Sequence, residues 1–149
     1  MKGTRPIFVT LLCILLFIIT IGLFTSWGYQ SVNYILSQSF NVESESTIYD
    51  LFIGIIAIIA SVLVFIGATY IWKMNYKGPI WVLFGSIGFL IKNILDIIND
   101  INPLMKASEV GSLDINIASL AIASDIFQFA FWIFIIIFFN RSSFKEHLS

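Results

Sequence analysis

The sequence predicts an all-α fold, an integral membrane four-helix bundle with both termini on the cytoplasmic side. Three observations predict it. Hydrophobic residues make up 58% of the 149 residues and charged residues 11%, against the roughly one quarter charged that is usual in soluble domains. Four apolar runs are each long enough to cross a hydrocarbon core, which takes about 20 residues at a rise of about 1.5 Å each. The basic residues gather on one side of those runs. A soluble domain of this size needs more polar surface to cover its core, whereas lipid solvates apolar side chains directly.

The chain reads as a single membrane domain. The first span runs from Ile7 to Trp27 and the second from Leu51 to Trp72, and neither carries a charge. The third runs from Pro79 to Ile98 and carries Lys92 and Asp96; the fourth runs from Ile115 to Phe139 and carries Asp125. One such run alone could be a buried soluble helix, but four in succession are not. Lys2 and Arg5 give the first run the basic start of a signal peptide. The run exceeds the usual 7–15 apolar residues or so of a signal, however. Its exit, Phe24-Thr25-Ser26-Trp27, offers no small-residue cleavage site, and Leu11 and Leu12 before Cys13 exclude a lipoprotein box. The expectation is an uncleaved first span.

Orientation follows from the basic residues, which favour the cytoplasmic loops. Lys2 and Arg5 precede the first span, Lys73 and Lys77 lie between the second and third, and Arg141 and Lys145 follow the fourth. The opposite side holds Glu43, Glu45, Asp50, Asp100, Glu109 and Asp114, with Lys106 as its only cation. Trp27, Tyr29, Trp72, Tyr76 and Trp81 lie near span ends, where amphipathic rings prefer the headgroup level. They are read as boundary markers without a functional message.

The inner connection, residues 73–78, is short enough to make the second and third spans an antiparallel hairpin. In the first outer segment, 28–50, Val32, Ile35, Leu36, Ser39 and Phe40 share one helical face. A short amphipathic helix on the outer interface or an extension of the first span accounts for it, with a lid over a site as the functional alternative. The second outer segment, 99–114, is polar, and Pro103 is expected to break the third helix there. Residues 140–149 form a cytoplasmic tail.

Lipid gives no hydrophobic drive for helix association, so interfaces collect small residues that permit close approach. Each span has such a seam: Thr10, Cys13, Phe17 and Thr20 in the first, and Gly54, Ala57, Ser61 and Ala68 in the second. In the third, Gly85 and Gly88 lead to Lys92; in the fourth, Ala118 and Ala121 lead to Asp125 and Gln128. The large side chains are expected outside, in a compact bundle with left-handed crossings.

Charge inside the spans is the feature that points to a site. A Lys or Asp at a helix centre costs about 2.5–3.5 kcal/mol on insertion scales, and such residues face the protein interior and pair. Lys92 and Asp96 are one turn apart on one face. The expected arrangement is a Lys92–Asp125 contact across the bundle, with Asp96 above it and Gln128 below. Asn93, Asn99 and Asp100 would stand at the mouth of any pocket opening outward. The cluster is structural if the charges only neutralise each other and fix helix register, and functional if they form a proton or ion relay.

Other chemistry has little residue support. The one histidine, His147, sits in the tail, and a single cysteine makes no disulfide. Asp96, Asp100, Glu109 and Asp114 could bind a hard cation but lack a recognisable loop pattern. Gly85-Ser86-Ile87-Gly88 lacks the spacing of a serine-nucleophile turn. Asn140-Arg141-Ser142 matches a glycosylation sequon but falls on the cytoplasmic side. A net charge of −1 argues against nucleic acid, and no cofactor is implied. The partners expected are the lipid bilayer and further copies or other membrane subunits, in a prokaryotic plasma membrane. The functional expectation is a non-enzymatic structural or accessory subunit or self-associating bundle. The alternative is a small transporter or ion-conducting subunit using Lys92, Asp96 and Asp125.

Overall fold

A computed structural model describes residues 6–40, 47–110 and 114–141, with the backbone alone for residues 100, 102–110, 114–118 and 121. Four helices follow one another: α1 (Ile7–Phe40), α2 (Ile48–Trp72), α3 (Gly78–Val110) and α4 (Asp114–Asn140). Each holds a stretch long and apolar enough to cross a membrane, which in α3 is Gly78–Asn99 and in α4 Ile122–Asn140. Of the residues behind the charge argument, Lys2, Arg5, Glu43, Glu45, Lys145 and His147 lie outside the described residues. So do the side chains of Asp100, Lys106, Glu109, Asp114, Ala118 and Ala121.

Two helices run past the expected spans. No separate short helix stands between α1 and α2 among the described residues, because α1 continues unbroken to Phe40. Nothing in residues 28–40 stops it: the stretch has no proline and one glycine, Gly28, and a lone glycine costs only about 1 kcal/mol. Val32, Ile35, Leu36 and Phe40 lie exposed on that extension. Pro103 does not break α3, which continues to Val110. Proline removes one N–H and costs about 3 kcal/mol. Leu104, Met105, Lys106 and Ala107 follow it, all strong helix formers, and they carry the helix on. At 34 and 33 residues, α1 and α3 are each about 50 Å long. Both overshoot at the end of the bundle opposite the α2–α3 turn.

That turn is built from α2's own last carbonyls. Met74 N–H donates to the Ile71 carbonyl at 2.8 Å and Asn75 N–H to the Tyr70 carbonyl at 2.9 Å, the paired bonds of a Schellman motif. Met74 holds the left-handed position at φ 56°, where glycine is usual. Lys77 N–H then donates to Asn75 Oδ1 at 2.9 Å, and Pro79 follows at the start of α3, where its missing N–H costs nothing. At its other end α2 opens with a capping box. Asp50 N–H donates to Thr47 Oγ1 at 3.3 Å, and Thr47 N–H donates to Asp50 Oδ2 at 2.6 Å.

The helices pack in chain order, α1 on α2, α2 on α3 and α3 on α4. The expected α2 seam is buried and faces α1: Gly54 lies against Trp27 and Ser31, and Cys13 Sγ is 3.8 Å from the Ala68 carbonyl. A second α2 seam, not anticipated from the sequence, faces α3 and comprises Ala60, Val64, Gly67 and Ile71. There the backbones nearly touch. A Cβ on Gly85 would lie 2.5 Å from Val64 Cγ2 and 2.7 Å from the Ala60 carbonyl oxygen. Phe89 of α3 stacks on Trp132 of α4 with ring centres 4.3 Å apart and planes 13° apart. Between α1 and α4, Phe8 meets Phe138 edge-on at 6.4 Å. Farther along lies an apolar cleft of about 370 Å³ between Leu15, Ile19 and Leu23 on one side and Phe127, Phe131 and Trp132 on the other.

The outside is apolar and much of the polar chemistry is inside. Ile7, Leu11, Ile18, Phe52, Ile59, Phe84, Phe127 and Phe134 are all exposed, while Thr20, Ser61, Ser86, Lys92, Asn93 and Asp125 are buried. A bundle in water shows the reverse distribution. The buried hydroxyls of Thr20, Ser61 and Ser86 donate to carbonyls one turn back, at 2.7–2.8 Å. These small residues therefore serve the packing through their size, with their polarity satisfied within the helix.

Candidate functional site

The Gly85–Gly88 seam sets the rotation of α3 against α2 and so decides where Lys92 and Asp96 point. Their i,i+4 spacing puts them one turn apart on one face, and the structure joins them. Lys92 Nζ lies 2.5 Å from Asp96 Oδ2, with side-chain exposures of 5% and 16%. The side chain of Lys92 thus reaches forward to its own helix's carboxylate. Its ammonium also sits 4.9 Å from the centre of the Trp27 ring of α1, within the range of a cation–π contact. One buried ammonium is answered by a carboxylate along α3 and an indole face from α1.

Around this pair is a polar cavity of about 340 Å³ to which all four helices contribute. α1 gives Trp27; α2 gives Tyr49 and Asp50; α3 gives Lys92, Asp96 and Asn99; α4 gives Ser124 and Asp125. It lies at the end of the bundle opposite the Lys73–Gly78 turn. Asp50 is also the carboxylate of the α2 capping box, so its Oδ2 accepts from both the Thr47 amide and the Thr47 hydroxyl. The cap fixes one wall of the cavity by the same bonds that start α2.

The structure therefore brings Lys92, Asp96 and Asp125 to one cavity and places the other two candidates elsewhere. Gln128 lines the apolar α1–α4 cleft, its Nε2 donating to Ser124 Oγ at 3.4 Å. Asn93 is fully buried among the helices, away from the mouth where it was expected, and neither its Oδ1 nor its Nδ2 has a hydrogen-bond partner among the described residues. A buried amide in that condition costs about 1–3 kcal/mol for each group left unsatisfied. Trp27, Tyr49, Asp50 and Ser124 are site residues that sequence reasoning did not single out. Thr47-Ile48-Tyr49-Asp50 carried a usable signal, the capping-box spacing ahead of an apolar run. For Trp27 there was only its depth, at the same end of the bundle as Lys92.

Among the described lining residues are the carboxylates of Asp50, Asp96 and Asp125 and the ammonium of Lys92. Among the described residues no three Asp, Glu, His or Cys side chains come close enough together to hold a metal ion. No protein-family model, no curated protein and no solved structure matches this chain.

Proposed function

We propose that this chain is a non-enzymatic, multi-pass protein of a prokaryotic plasma membrane with both termini cytoplasmic. It acts as a structural or accessory subunit, or as a self-associating helix bundle. The observation that carries this reading is that the Lys92 ammonium is answered within the fold, by Asp96 at 2.5 Å and Trp27 at 4.9 Å. The Trp27 contact ties α3 to α1, while the Lys92–Asp96 pair, both on α3, offsets the cost of the buried charge. The apolar exterior supports lipid or further membrane subunits as the neighbours.

The test is the size of the protein extracted in detergent and reconstituted in lipid nanodiscs, with mass spectrometry of whatever copurifies. A homo-oligomer or a defined complex with another membrane protein is expected. A lone monomer under both conditions contradicts association. Reporter fusions at either terminus should be active only in the cytoplasm.

A second reading, a small transporter or ion-conducting subunit using Lys92, Asp96 and Asp125, is favoured by the cavity that all four helices line. Four helices seldom enclose a path alone, so this reading requires an oligomer and solute flux in reconstituted vesicles.

A further inference from the structure

We infer that the cleft between α1 and α4 is where two copies of this chain associate, each Gln128 hydrogen-bonded to its counterpart in the other copy. The inference rests on the self-associating reading proposed above and names its surface. The helices pack in chain order, and α1 meets α4 through Phe8 and Phe138. Farther along, these two helices part around the cleft of about 370 Å³. Gln128 is the one amide in a lining otherwise of aliphatic and aromatic side chains. It falls within Ile122–Asn140, the stretch of α4 long and apolar enough to cross a membrane. Among the described residues this amide makes one hydrogen bond, from Nε2 to Ser124 Oγ at 3.4 Å. That is longer than the usual distance of about 2.7–3.2 Å, and the Gln128 carbonyl oxygen accepts none. Hydrocarbon offers no water to answer an amide, so the partner has to be another protein group. Glutamine in a membrane helix accordingly joins helices by hydrogen bonds across their interface. A carboxamide is its own complement, since it carries both an acceptor oxygen and N–H donors. Across a twofold axis each Gln128 N–H can donate to the other copy's Oε1, which answers both amides at once. Such an interface is isologous, so one patch on each copy suffices. An acyl chain would fill the same cleft but leave the amide unanswered. Beside Gln128, the Phe127 ring is 75% exposed and adds apolar surface for the second copy to cover.

The test measures energy transfer between donor- and acceptor-labelled full-length chains in phospholipid vesicles, over a series of protein-to-lipid ratios. Wild type should associate, and Gln128→Leu should weaken association by about tenfold as two interhelical hydrogen bonds are lost. Cysteine crosslinking in the same vesicles gives a second readout that leaves Gln128 intact, so it stands even if Gln128→Leu fails to fold. Phe127→Cys should give a disulfide-linked homodimer on mild oxidation. Phe84→Cys, exposed on α3, and wild type, whose Cys13 is buried, should not. Undiminished association of Gln128→Leu, or crosslinking through Phe84→Cys without crosslinking through Phe127→Cys, overturns the proposal and leaves self-association in place. Crosslinking of Phe127→Cys in cell membranes to a different protein, with no homodimer, identifies another occupant and overturns it too. A wild type that stays monomeric at every ratio overturns the self-association reading and the proposal with it.

Discussion

The ammonium of Lys92 sits 4.9 Å from the centre of the Trp27 ring, joining α3 to the C-terminal half of α1. These two helices are not chain neighbours, and α2 packs between them in sequence order. A cation–π contact shielded from water is worth about 2 kcal/mol, against about 0.5–1 at an exposed site. Trp27→Leu should therefore lower stability by about 1–2 kcal/mol in the wild-type background. With Lys92 replaced by Met it should cost markedly less. Equilibrium unfolding in mixed micelles gives the four values of this cycle, and equal costs in both backgrounds would show that the contact contributes nothing.

Close approach of α2 and α3 rests on Gly85. A methyl there would press on Val64 and on the Ala60 carbonyl, whereas a methyl on Gly22 of α1 would meet nothing within 4 Å. Gly85→Ala should destabilise by about 1–3 kcal/mol as overpacking forces the helices apart. Gly22→Ala should be neutral or stabilise by up to about 1 kcal/mol, because alanine is the better helix former. The pair of thermal unfolding midpoints checks both signs at once.

Much of this was legible in the amino-acid order, and the failures have identifiable causes. Lys92, Asp96 and Asp125 stand out because charge is costly in an apolar run, and that cost predicts burial and company whatever the tertiary detail. Their partners depend on helix rotation, which local sequence does not fix. Trp27 reads as a boundary ring because its depth is visible and its facing is not. The α3-facing seam of α2 is hidden in the sequence because Val64 and Ile71 are large. They pack there because Gly85 and Gly78 opposite them are small, a complementarity that only the paired helices reveal. Pro103 misleads, since one lost hydrogen bond does not outvote the strong helix formers that follow it.

The α2–α3 turn puts a side chain where glycine is the usual choice. Met74 has φ 56° and also packs against the hydrophobic core. Met74→Ala keeps the left-handed backbone and loses the packing, so it should destabilise. Met74→Gly loses the same packing but relieves about 1 kcal/mol of backbone cost. The glycine variant should therefore be the more stable of the two in chemical denaturation, and the reverse order would show that the turn adopts another geometry.

Thr47 ties the start of α2 to one wall of the cavity through Asp50. Thr47→Ala should cost about 1 kcal/mol, the usual loss for an N-cap hydroxyl, and Thr47→Ser should cost much less. Hydrogen exchange at the first-turn amides of α2 should rise in the alanine variant alone. Faster exchange spread evenly along α2 would point away from a local cap.

Lys92 and Asp96 form an ion pair within α3, the lysine buried and the aspartate partly so, and on that pairing the structural role proposed for this chain depends. It is tested most directly by the stability in lipid of Asp96→Leu, Lys92→Met and the double variant. Breaking a buried pair by removing one partner costs about 3–5 kcal/mol, whereas replacing both with apolar groups of similar volume is often neutral. Each single variant should be strongly destabilised and the double variant should recover most of the loss. Losses that simply add in the double variant would contradict the pairing.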